Sequence, residues 1–385
     1  MNFVATDLRE ALNRTEAYLR RVDYRGYDPY DGLMSPLFSL PILRSAKLPR
    51  WGFQQVLKRL PFQTRPLLGI RPGYNPVTLA LAIQAWTERD RAAGRNDRRA
   101  EVERLVGELQ RLRSPGWSGS CWGYDFDWEA RYACFPAGLP TVVATGFVTH
   151  ALFQAHAHYD LPAARDLVVD AATFVTGDLN RTRVEDGFCF SYSPRDHNKV
   201  LNATVKGARL LVQAAHLAGG NTEWVDTART TLHYVARHQR DDGSWPYALG
   251  DARSWADHFH TCYNLDGLDA FGRLTGDDTF ADIVTRGTEY YRRHFFRDDG
   301  APRYYDNRTF PIDATCCGQA LLTLVRLGDL EQARHTAAWI MEHMALPGGA
   351  WKYQLTPRLE NRLVYVRWSV AWIGAGLASL ERALG

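Results

Sequence analysis

The chain has 385 residues, of which 45% are hydrophobic and 23% are charged, and its formal net charge is +3. These values are ordinary for a globular protein that is large enough to fold without disulfide or metal support. The small charge, with basic residues spread along the chain, argues against nucleic-acid binding, and no apolar run reaches the roughly 18 residues of a membrane span. Aromatic residues are the unusual feature, with 12 Trp, 18 Tyr and 17 Phe, concentrated in segments with the character of loops.

The first predicted element is an amphipathic helix over residues 1–21, which carries Asp7, Glu10 and Glu16. It lacks the basic start, the apolar centre and the small-residue cleavage site of a secretory signal, so we expect a cytoplasmic protein. The six cysteines are then expected to be reduced thiols. No CxxC pair occurs, and the adjacent Cys316 and Cys317 are not expected to bridge each other.

Helical periodicity recurs along the whole chain and alternates between two kinds of helix. Six predicted helices are rich in Ala, Leu and Gly and poor in charge: 75–88, 141–156, 201–217, 259–273, 314–327 and 366–382. Each follows a more charged, amphipathic helix: 4–21, 96–113, 161–176, 223–238, 280–296 and 330–344. Helices that are apolar all round are buried on both sides, whereas amphipathic helices face solvent on one side. The pattern therefore predicts two concentric rings of helices.

The links between these helices are unequal in length. Links from an inner helix to the next outer helix are short turns, as helix hairpins require. Links from an outer to an inner helix are long: 22–74, 114–140, 177–200, 239–258, 297–313 and 345–365. In an alternating antiparallel array all six long links lie on one face, and long ordered loops usually carry function. We therefore expect an all-α fold, an (α/α)6 toroid of six helical hairpins, as a single domain over 1–385 with its working site on the loop face.

The long links also resemble one another in sequence. A Gly followed by an aromatic pair recurs at 119–124, 186–192, 242–247, 299–305 and 348–353, and the first link keeps only a remnant at 30–32. The pattern is typical of a glycine turn and a short extended piece. Two interpretations stay open for the aromatic side chains: they fill the top of the ring as ordinary core, or they bind a substrate.

Part of this repeat resembles a known motif. Gln239, Gly243 and Trp245 match the Q-x-x-x-G-x-W repeat of squalene and oxidosqualene cyclases. Those cyclases, the β-subunits of protein prenyltransferases and the six-hairpin glycosidases are all α/α toroids. The resemblance supports the architecture and leaves the chemistry open.

A second local resemblance concerns zinc. Residues 260–268 resemble the segment of prenyltransferase β-subunits that supplies a zinc-binding His, which implies His260 as a ligand. The other two zinc ligands of that family are an Asp and a Cys two residues apart. This sequence departs from that spacing, because Asp186 and Cys189 are three residues apart. The remaining donors with a side chain suited to tetrahedral zinc are Asp257, His258 and Cys262. No cofactor is expected on this basis, and zinc stays an alternative.

A third resemblance extends over most of the chain. Residues 242–247 through 255–261, residues 304–306 with 311–313, and residues 365–368 with 371–372 resemble a family of bacterial and archaeal toroid proteins. Members of that family are commonly found among surface-polysaccharide genes. The resemblance implies a glycan context and does not specify a reaction.

Polar residues crowd the predicted loop face and supply candidate chemistry. Asp257 and His260, with Tyr263 nearby, are the first choice for an acid–base centre, because helical spacing brings them together at the start of an inner helix. Asp127 is a further candidate carboxylate. The competing interpretation is structural: Asp257 and Asp313 cap helices, His260 is a satisfied structural side chain, Asp127 pairs with Arg131, and Arg367 pairs with a loop aspartate. The predicted substrate-binding residues are Trp122, Tyr124, Arg131, Trp245, Tyr247, Tyr305, Asp306, Asp313, Arg367 and Trp368.

These residues predict a carbohydrate-active enzyme, because carboxylates, His and Tyr serve glycoside cleavage, elimination and epimerisation, and aromatic faces stack on sugar rings. The expected substrate is an oligosaccharide or a uronate-containing glycan, in polysaccharide metabolism, with no nucleic acid and no membrane span. Two alternatives stay open: an isoprenoid cyclase or prenyltransferase-like enzyme, and a glycan-binding factor without turnover. No glycine-rich phosphate loop supports nucleotide use.

Overall fold

The helices of the protein alternate between an inner and an outer ring. A computed structural model describes residues 5–185 and 187–385, so Asp186 lies outside the described residues. The α-helices in chain order are α1 Ala5–Arg21, α2 Pro41–Ser45, α3 Lys47–Arg59, α4 Pro76–Ala93, α5 Arg99–Arg111, α6 Val142–Tyr159, α7 Pro162–Gly177, α8 Leu201–Leu217, α9 Thr222–Ala236, α10 His258–Thr275, α11 Ala281–His294, α12 Ala314–Arg326, α13 Leu330–His343 and α14 Trp372–Leu384.

The inner ring consists of α4, α6, α8, α10, α12 and α14, and each packs on the next in chain order. Helix α14 packs on α4, which closes the ring. The apolar helices are buried nearly all round, whereas outer helices such as α5 bury one stripe, Val102, Leu105, Val106 and Leu109. The predicted all-α toroid of six hairpins with long loops on one face is therefore confirmed. The prediction of a single domain remains a prediction.

Capping residues fix where the inner helices begin on the loop face. Asn75, Thr141, Asp257 and Asp313 are the N-caps of α4, α6, α10 and α12, and each side chain accepts a hydrogen bond from a backbone N–H of the first turn. Such caps satisfy donors that have no partner within the helix. At the opposite face, α4 and α10 end in glycines with positive φ, Gly94 and Gly276, which reverse the chain in short turns.

Short strands tie the long links together. The pairs are β1 Trp128–Glu129 with β2 Cys134–Phe135, β3 Arg181–Val184 with β4 Gly187–Phe190, β5 Lys199–Val200 with β6 Ala248–Leu249, and β7 Ile312–Asp313 with β8 Gln354–Leu355 and β9 Glu360–Asn361. Pairs β5–β6 and β7–β8 join neighbouring links. The loop face is thus an ordered layer.

The first long link differs from the prediction, because it contains α2 and α3 as well as loops. Helix α3 buries Arg50, Gln54 and Leu57, which are spaced three and four residues apart on one helical face. The pattern escaped sequence analysis because two of these three buried residues are polar. The last inner helix is preceded by a π-helical segment, Val366–Ala371.

The six cysteines are free thiols. None of the helices described is both long and apolar enough to cross a lipid bilayer.

Candidate active site on the loop face

A cavity of about 390 Å³ lies where the long links converge over the ring. Five of the long links line it, together with the segment Val366–Ala371 that follows the sixth and the first turns of several inner helices. Its size falls within the usual range for small-molecule sites. More than half of the lining residues are aromatic.

An Asp–His pair lies at the wall of this cavity. Asp257 Oδ2 is 2.6 Å from His260 Nδ1, and Asp257 Oδ1 accepts a hydrogen bond from the His260 backbone N–H at 3.1 Å. Trp255 Nε1 donates to the same carboxylate at 3.2 Å. The predicted proximity of the two side chains is thus observed, and so is the capping role of Asp257. Such a carboxylate holds the Nδ1–H tautomer, which leaves Nε2 as a proton acceptor. Nε2 makes no hydrogen bond to any described residue.

Stacked aromatic rings surround the pair. Tyr247 lies parallel to Trp255, with ring centroids 5.5 Å apart, and contacts the His260 ring at 4.4 Å. On another wall, Tyr124 stacks on Phe126 at 5.5 Å. Flat aromatic faces of this kind bind apolar faces of a ligand while leaving hydroxyl groups at their edges.

The floor of the cavity is formed by Phe147, Tyr263 and Trp372. Tyr263 stacks on Trp372 at 6.2 Å, and Phe147 meets both rings edge to face. Burial raises the pKa of Tyr263 well above its ordinary value, so its hydroxyl stays protonated. Tyr263 is thus a hydrogen-bond donor whose ring centroid is 5.8 Å from that of His260.

Arg367 forms a structural ion pair and also lines the cavity. Its Nε donates to Asp28 Oδ2 at 2.6 Å, and Trp368 Nε1 donates to the other oxygen at 3.4 Å. Burial lowers the pKa of Arg367, but the charge and hydrogen bond of Asp28, with Tyr124 and Asp125, together outweigh burial, and the pKa rises above its ordinary value. Pairing with a loop aspartate, the structural interpretation of Arg367, is thus observed, and both Arg367 and Trp368 line the cavity.

Other predicted residues that line the cavity are Tyr124, Arg131, Tyr247 and Tyr305. Arg131 is exposed and forms no side-chain ion pair with a described residue. Tyr305 packs on Tyr304 at 4.6 Å and has the Arg308 guanidinium over its ring at 4.0 Å.

Two predicted tryptophans lie away from the cavity. Trp122 is fully buried and donates from Nε1 to Leu109 O at 2.7 Å, at the end of α5. Trp245 is buried in the same way and donates to Val235 O of α9 at 3.2 Å. Each tryptophan thus fastens a long link to the outer helix before it. The tyrosine two residues later faces the cavity in both links.

Three predicted aspartates also lie outside the cavity lining. Asp127 accepts from Ala137 N at 2.8 Å, and its ion-pair partner at 4.0 Å is Arg50, not the expected Arg131. Asp306 accepts from the Tyr290 hydroxyl at 2.6 Å. Asp313 is the buried N-cap of α12, where burial raises the pKa of its carboxyl to about 6.

Two carboxylates that were not predicted as site residues lie in the same link as Asp127. Glu129 lines the cavity and accepts from Arg50 Nε at 3.0 Å. Asp125 faces a second cavity of about 490 Å³ that shares Arg367 and Phe126 with the first. Burial and then the charge of Asp28 raise the pKa of Asp125 to about 7. Asp125 and Asp127 precede strand β1 and only Glu129 lies in it, so no strand or helix periodicity separates the three carboxylates in the sequence.

Lys206 was overlooked altogether. Its Nζ lies 3.5 Å from the Phe147 ring centroid and 3.8 Å from that of Tyr263, directly beneath the cavity floor. Burial and then Arg209 lower the pKa of this amine well below its ordinary value, whereas the two rings favour its charged form. The available signal was a pair of basic residues, Lys206 and Arg209, in the middle of a buried inner helix.

The donors considered for zinc do not converge among the described residues, where no group of three His, Cys, Asp or Glu side chains could hold a metal ion. His258 Nδ1 bonds to Arg303 O, and its Nε2 bonds to the Tyr291 hydroxyl, both at 2.9 Å. Burial lowers the pKa of His258 to about 4. Cys189 contacts Thr204 Oγ1, and its expected partner Asp186 lies outside the described residues.

No protein-family model and no curated protein sequence matches the chain. Solved structures do match. A sugar epimerase from a ruminal bacterium superposes with a TM-score of 0.63 at 13% identity, over 82% of this chain and 90% of that one. A family 76 glycoside hydrolase, a mannosidase from Bacteroides thetaiotaomicron, gives 0.60 at 12% identity over 97% and 98%.

An unsaturated glucuronyl hydrolase specific for heparin gives a TM-score of 0.59 at 14% identity, over 82% of this chain and 87% of that chain. Identities this low establish similarity of fold and leave activity open. The chain therefore has the α/α-toroid fold that these sugar-acting enzymes also have.

Proposed function

We propose that the protein is a carbohydrate-active enzyme that moves a proton at a sugar carbon next to a carbonyl or carboxylate group, as an epimerase or lyase does. The observation that carries the proposal is the Asp257–His260 pair at the wall of the aromatic cavity. A histidine held by a carboxylate on one nitrogen is a general base on the other.

The cavity holds groups for each part of such a reaction. His260 Nε2 removes the proton while Asp257 stabilises the imidazolium that forms. The buried Tyr263 hydroxyl is protonated and donates to developing negative charge on oxygen. Arg131 lines the cavity and forms no salt bridge to a described residue, although its charge acts on Asp251; its guanidinium is suited to a uronate carboxylate.

Glycoside hydrolysis has weaker support. It requires two carboxyl groups on either side of the scissile bond, and the described cavity lining contains two, Asp257 and Glu129. Each already has a partner within the protein, His260 and Arg50 respectively. Proton transfer uses the existing Asp–His hydrogen bond, whereas hydrolysis has to break one of these pairs.

The sugar class of the substrate is supported from two sides. The cavity has stacked aromatic walls, and the structures that share the fold include a sugar epimerase and an unsaturated glucuronyl hydrolase. We place the activity in polysaccharide biosynthesis because residues 242–261 resemble a family found among surface-polysaccharide genes. Six free cysteines are compatible with a cytoplasmic location.

The test is proton exchange in deuterated water, followed by NMR, with panels of reducing and uronate-containing oligosaccharides. We expect deuterium at one sugar carbon, and a rate that falls by roughly 10²- to 10⁴-fold in His260→Ala. Asp306→Asn is the matched control because Asp306 lies outside the cavity lining. Exchange at an unchanged rate in His260→Ala would refute the proposal, and glycan binding without exchange would identify a glycan-binding factor.

The aromatic lining also favours a second candidate, an isoprenoid cyclase, since aromatic faces stabilise carbocations. Incubation with farnesyl diphosphate and with squalene distinguishes the two. Conversion of either isoprenoid without exchange at a sugar carbon would replace the first proposal with the second.

A further inference from the structure

The segment 34–71, inserted between α1 and α4, carries most of the exposed large apolar side chains of the protein. Among the described residues, nine of the thirteen lie there: Met34, Leu37, Leu40, Ile42, Leu48, Trp51, Val56, Phe62 and Leu67. Ile42, Leu48 and Leu67 are 83%, 79% and 88% exposed. Single exposed apolar residues are normal on a surface, but the short elements of this segment pack on one another, α2 on α3 among them, and exposed apolar side chains that cluster mark an interaction site.

The same stretch has an unbalanced charge. Residues 32–87 contain seven of the 46 Lys and Arg residues of the chain and none of its 43 Asp and Glu residues, so the rest of the chain is net negative. Arg50 and Arg65 are buried and paired with acids elsewhere, and Lys58 lines the cavity. Four basic side chains remain exposed without a salt bridge to a described residue: Arg44, Lys47, Arg59 and Arg71.

Helix α3 shows how the segment is oriented. One face, with Arg50, Gln54 and Leu57, is buried against the protein. A second face, with Trp51, Gln55 and Lys58 at four- and three-residue spacing, lines the active-site cavity.

The third face of α3 is exposed and holds Leu48, Val56 and Arg59. The protein therefore presents apolar and cationic groups outward from the same helix that forms one side of the cavity.

We propose that segment 34–71 docks the protein on the surface of an anionic lipid bilayer. Basic amphipathic helices bind such surfaces by inserting apolar side chains into the boundary between headgroups and acyl chains, while cations contact anionic headgroups. A second copy of the chain is a poorer occupant. A two-fold interface would bring the cations of both copies together, and the segment contains no Asp or Glu to pair with them.

Docking in this orientation brings the wall formed by Trp51, Gln55 and Lys58 next to the membrane. The cavity then opens beside the bilayer surface. The docking proposal rests on exposure and charge, and it stands whether or not the proposed sugar chemistry is correct.

The test is flotation of the full-length protein with vesicles. We expect it to float with vesicles of phosphatidylcholine mixed with phosphatidylglycerol and to stay behind with phosphatidylcholine alone. Ile42→Asp combined with Leu48→Asp should abolish flotation. Leu359→Asp is the matched control, since Leu359 is 44% exposed on a different link. Each of Arg44→Ala and Arg59→Ala should weaken vesicle partition by about fivefold, with the effect lost at high salt.

Three results would overturn the proposal. The first is no flotation of the wild-type protein with anionic vesicles. The second is unchanged flotation of the Ile42→Asp, Leu48→Asp variant when its circular dichroism matches the wild type. The third is a wild-type dimer that the same variant converts to a monomer without any vesicle binding, which would identify the surface as a self-association interface.

Discussion

Asp313 is a carboxyl group at the start of an inner helix, held where water does not reach it. It is 1% exposed and accepts hydrogen bonds from Thr315 N at 2.9 Å and from Gln354 Nε2 at 3.2 Å. Two neutral donors do not offset the cost of removing a carboxylate from water, so the pKa rises to about 6. The folded state therefore retains a proton that the unfolded chain releases near pH 4.

This difference sets the pH dependence of stability at Asp313. As pH rises from about 4 to about 6, the unfolded chain loses the proton while the folded state keeps it, so stability falls across that window and is constant above it. Asp313→Asn keeps an oxygen to cap α12 and does not titrate. We expect the variant to gain about 1–3 kcal/mol in free energy of unfolding relative to wild type between about pH 4 and pH 7.5.

Urea unfolding of both proteins at these two pH values measures the change. A difference between variant and wild type that is the same at both pH values would mean that Asp313 ionises normally in the folded state.

Asp257 and Asp313 show which properties of a single residue can be predicted from the sequence. Both precede an inner helix, and both cap it as expected. Only Asp257 lines the cavity, together with His260 one turn later in the same helix. Capping is a local property that sequence spacing predicts, whereas facing the cavity depends on links that come from the other side of the ring.

At the scale of elements, the repeated loop motif has two separable roles. Its tryptophan is buried and fastens the link to an outer helix, and its tyrosine faces the cavity, as in Trp245 and Tyr247. The repeat was predicted, and Trp122 and Trp245 were predicted to bind substrate together with Tyr124 and Tyr247. To assign these two roles, one must know which side of the link packs on the next outer helix. In the fourth link that side carries Trp245, whose ring lies so close to Gly287 of α11 that a Cβ there would clash.

Trp245→Phe tests the fastening role. The change removes the hydrogen bond to Val235 O and leaves a void against Gly287, so the free energy of unfolding should fall by about 1–3 kcal/mol. Trp51→Phe is the control: Trp51 is 38% exposed at the cavity, and its stability effect should stay within about 0.5 kcal/mol. Urea unfolding followed by circular dichroism gives both values, and equal losses would contradict the distinction between core and cavity tryptophans.

Helix α3 is the longer of the two helices in the first long link that were not predicted. Its residues divide among a buried face, a cavity face and an exposed face, so the helix lacks the single apolar stripe by which periodicity identifies a surface helix. The inner helices are buried nearly all round and the outer helices have one buried stripe, two patterns that periodicity identifies, and all twelve were predicted close to their observed bounds. The fold was therefore predictable from pattern, and the composition of the cavity wall was not.

At the scale of the whole molecule, closure of the ring depends on contacts between its first and last helices. Helix α14 packs on both α1 and α4, and Trp351 of the sixth link donates to Thr15 of α1 at 3.0 Å. Arg89 of α4 is 5% exposed and joins these helices electrostatically. It donates to Glu16 of α1 at 2.5 Å and to Glu381 of α14 at 3.2 Å.

Arg89→Met should therefore weaken the whole ring. It removes the cation that Glu16 and Glu381 share, while Glu16 keeps Arg98 and Arg20, both at 2.9 Å, and Glu381 keeps Arg9 at 3.6 Å. Neither carboxylate is left unpaired, so we expect a loss of about 1.5–3 kcal/mol for the charged hydrogen bonds that are broken. Arg99→Met removes the exposed pair with Glu103 at 2.8 Å and should cost at most about 1 kcal/mol. If residues 5–385 form one cooperative unit, tryptophan fluorescence and far-ultraviolet circular dichroism will report a single shared urea transition for wild type and for both variants. Two separate transitions in Arg89→Met would instead mean that the first and last hairpins open independently of the remaining ring, and that the chain contains more than one folding unit.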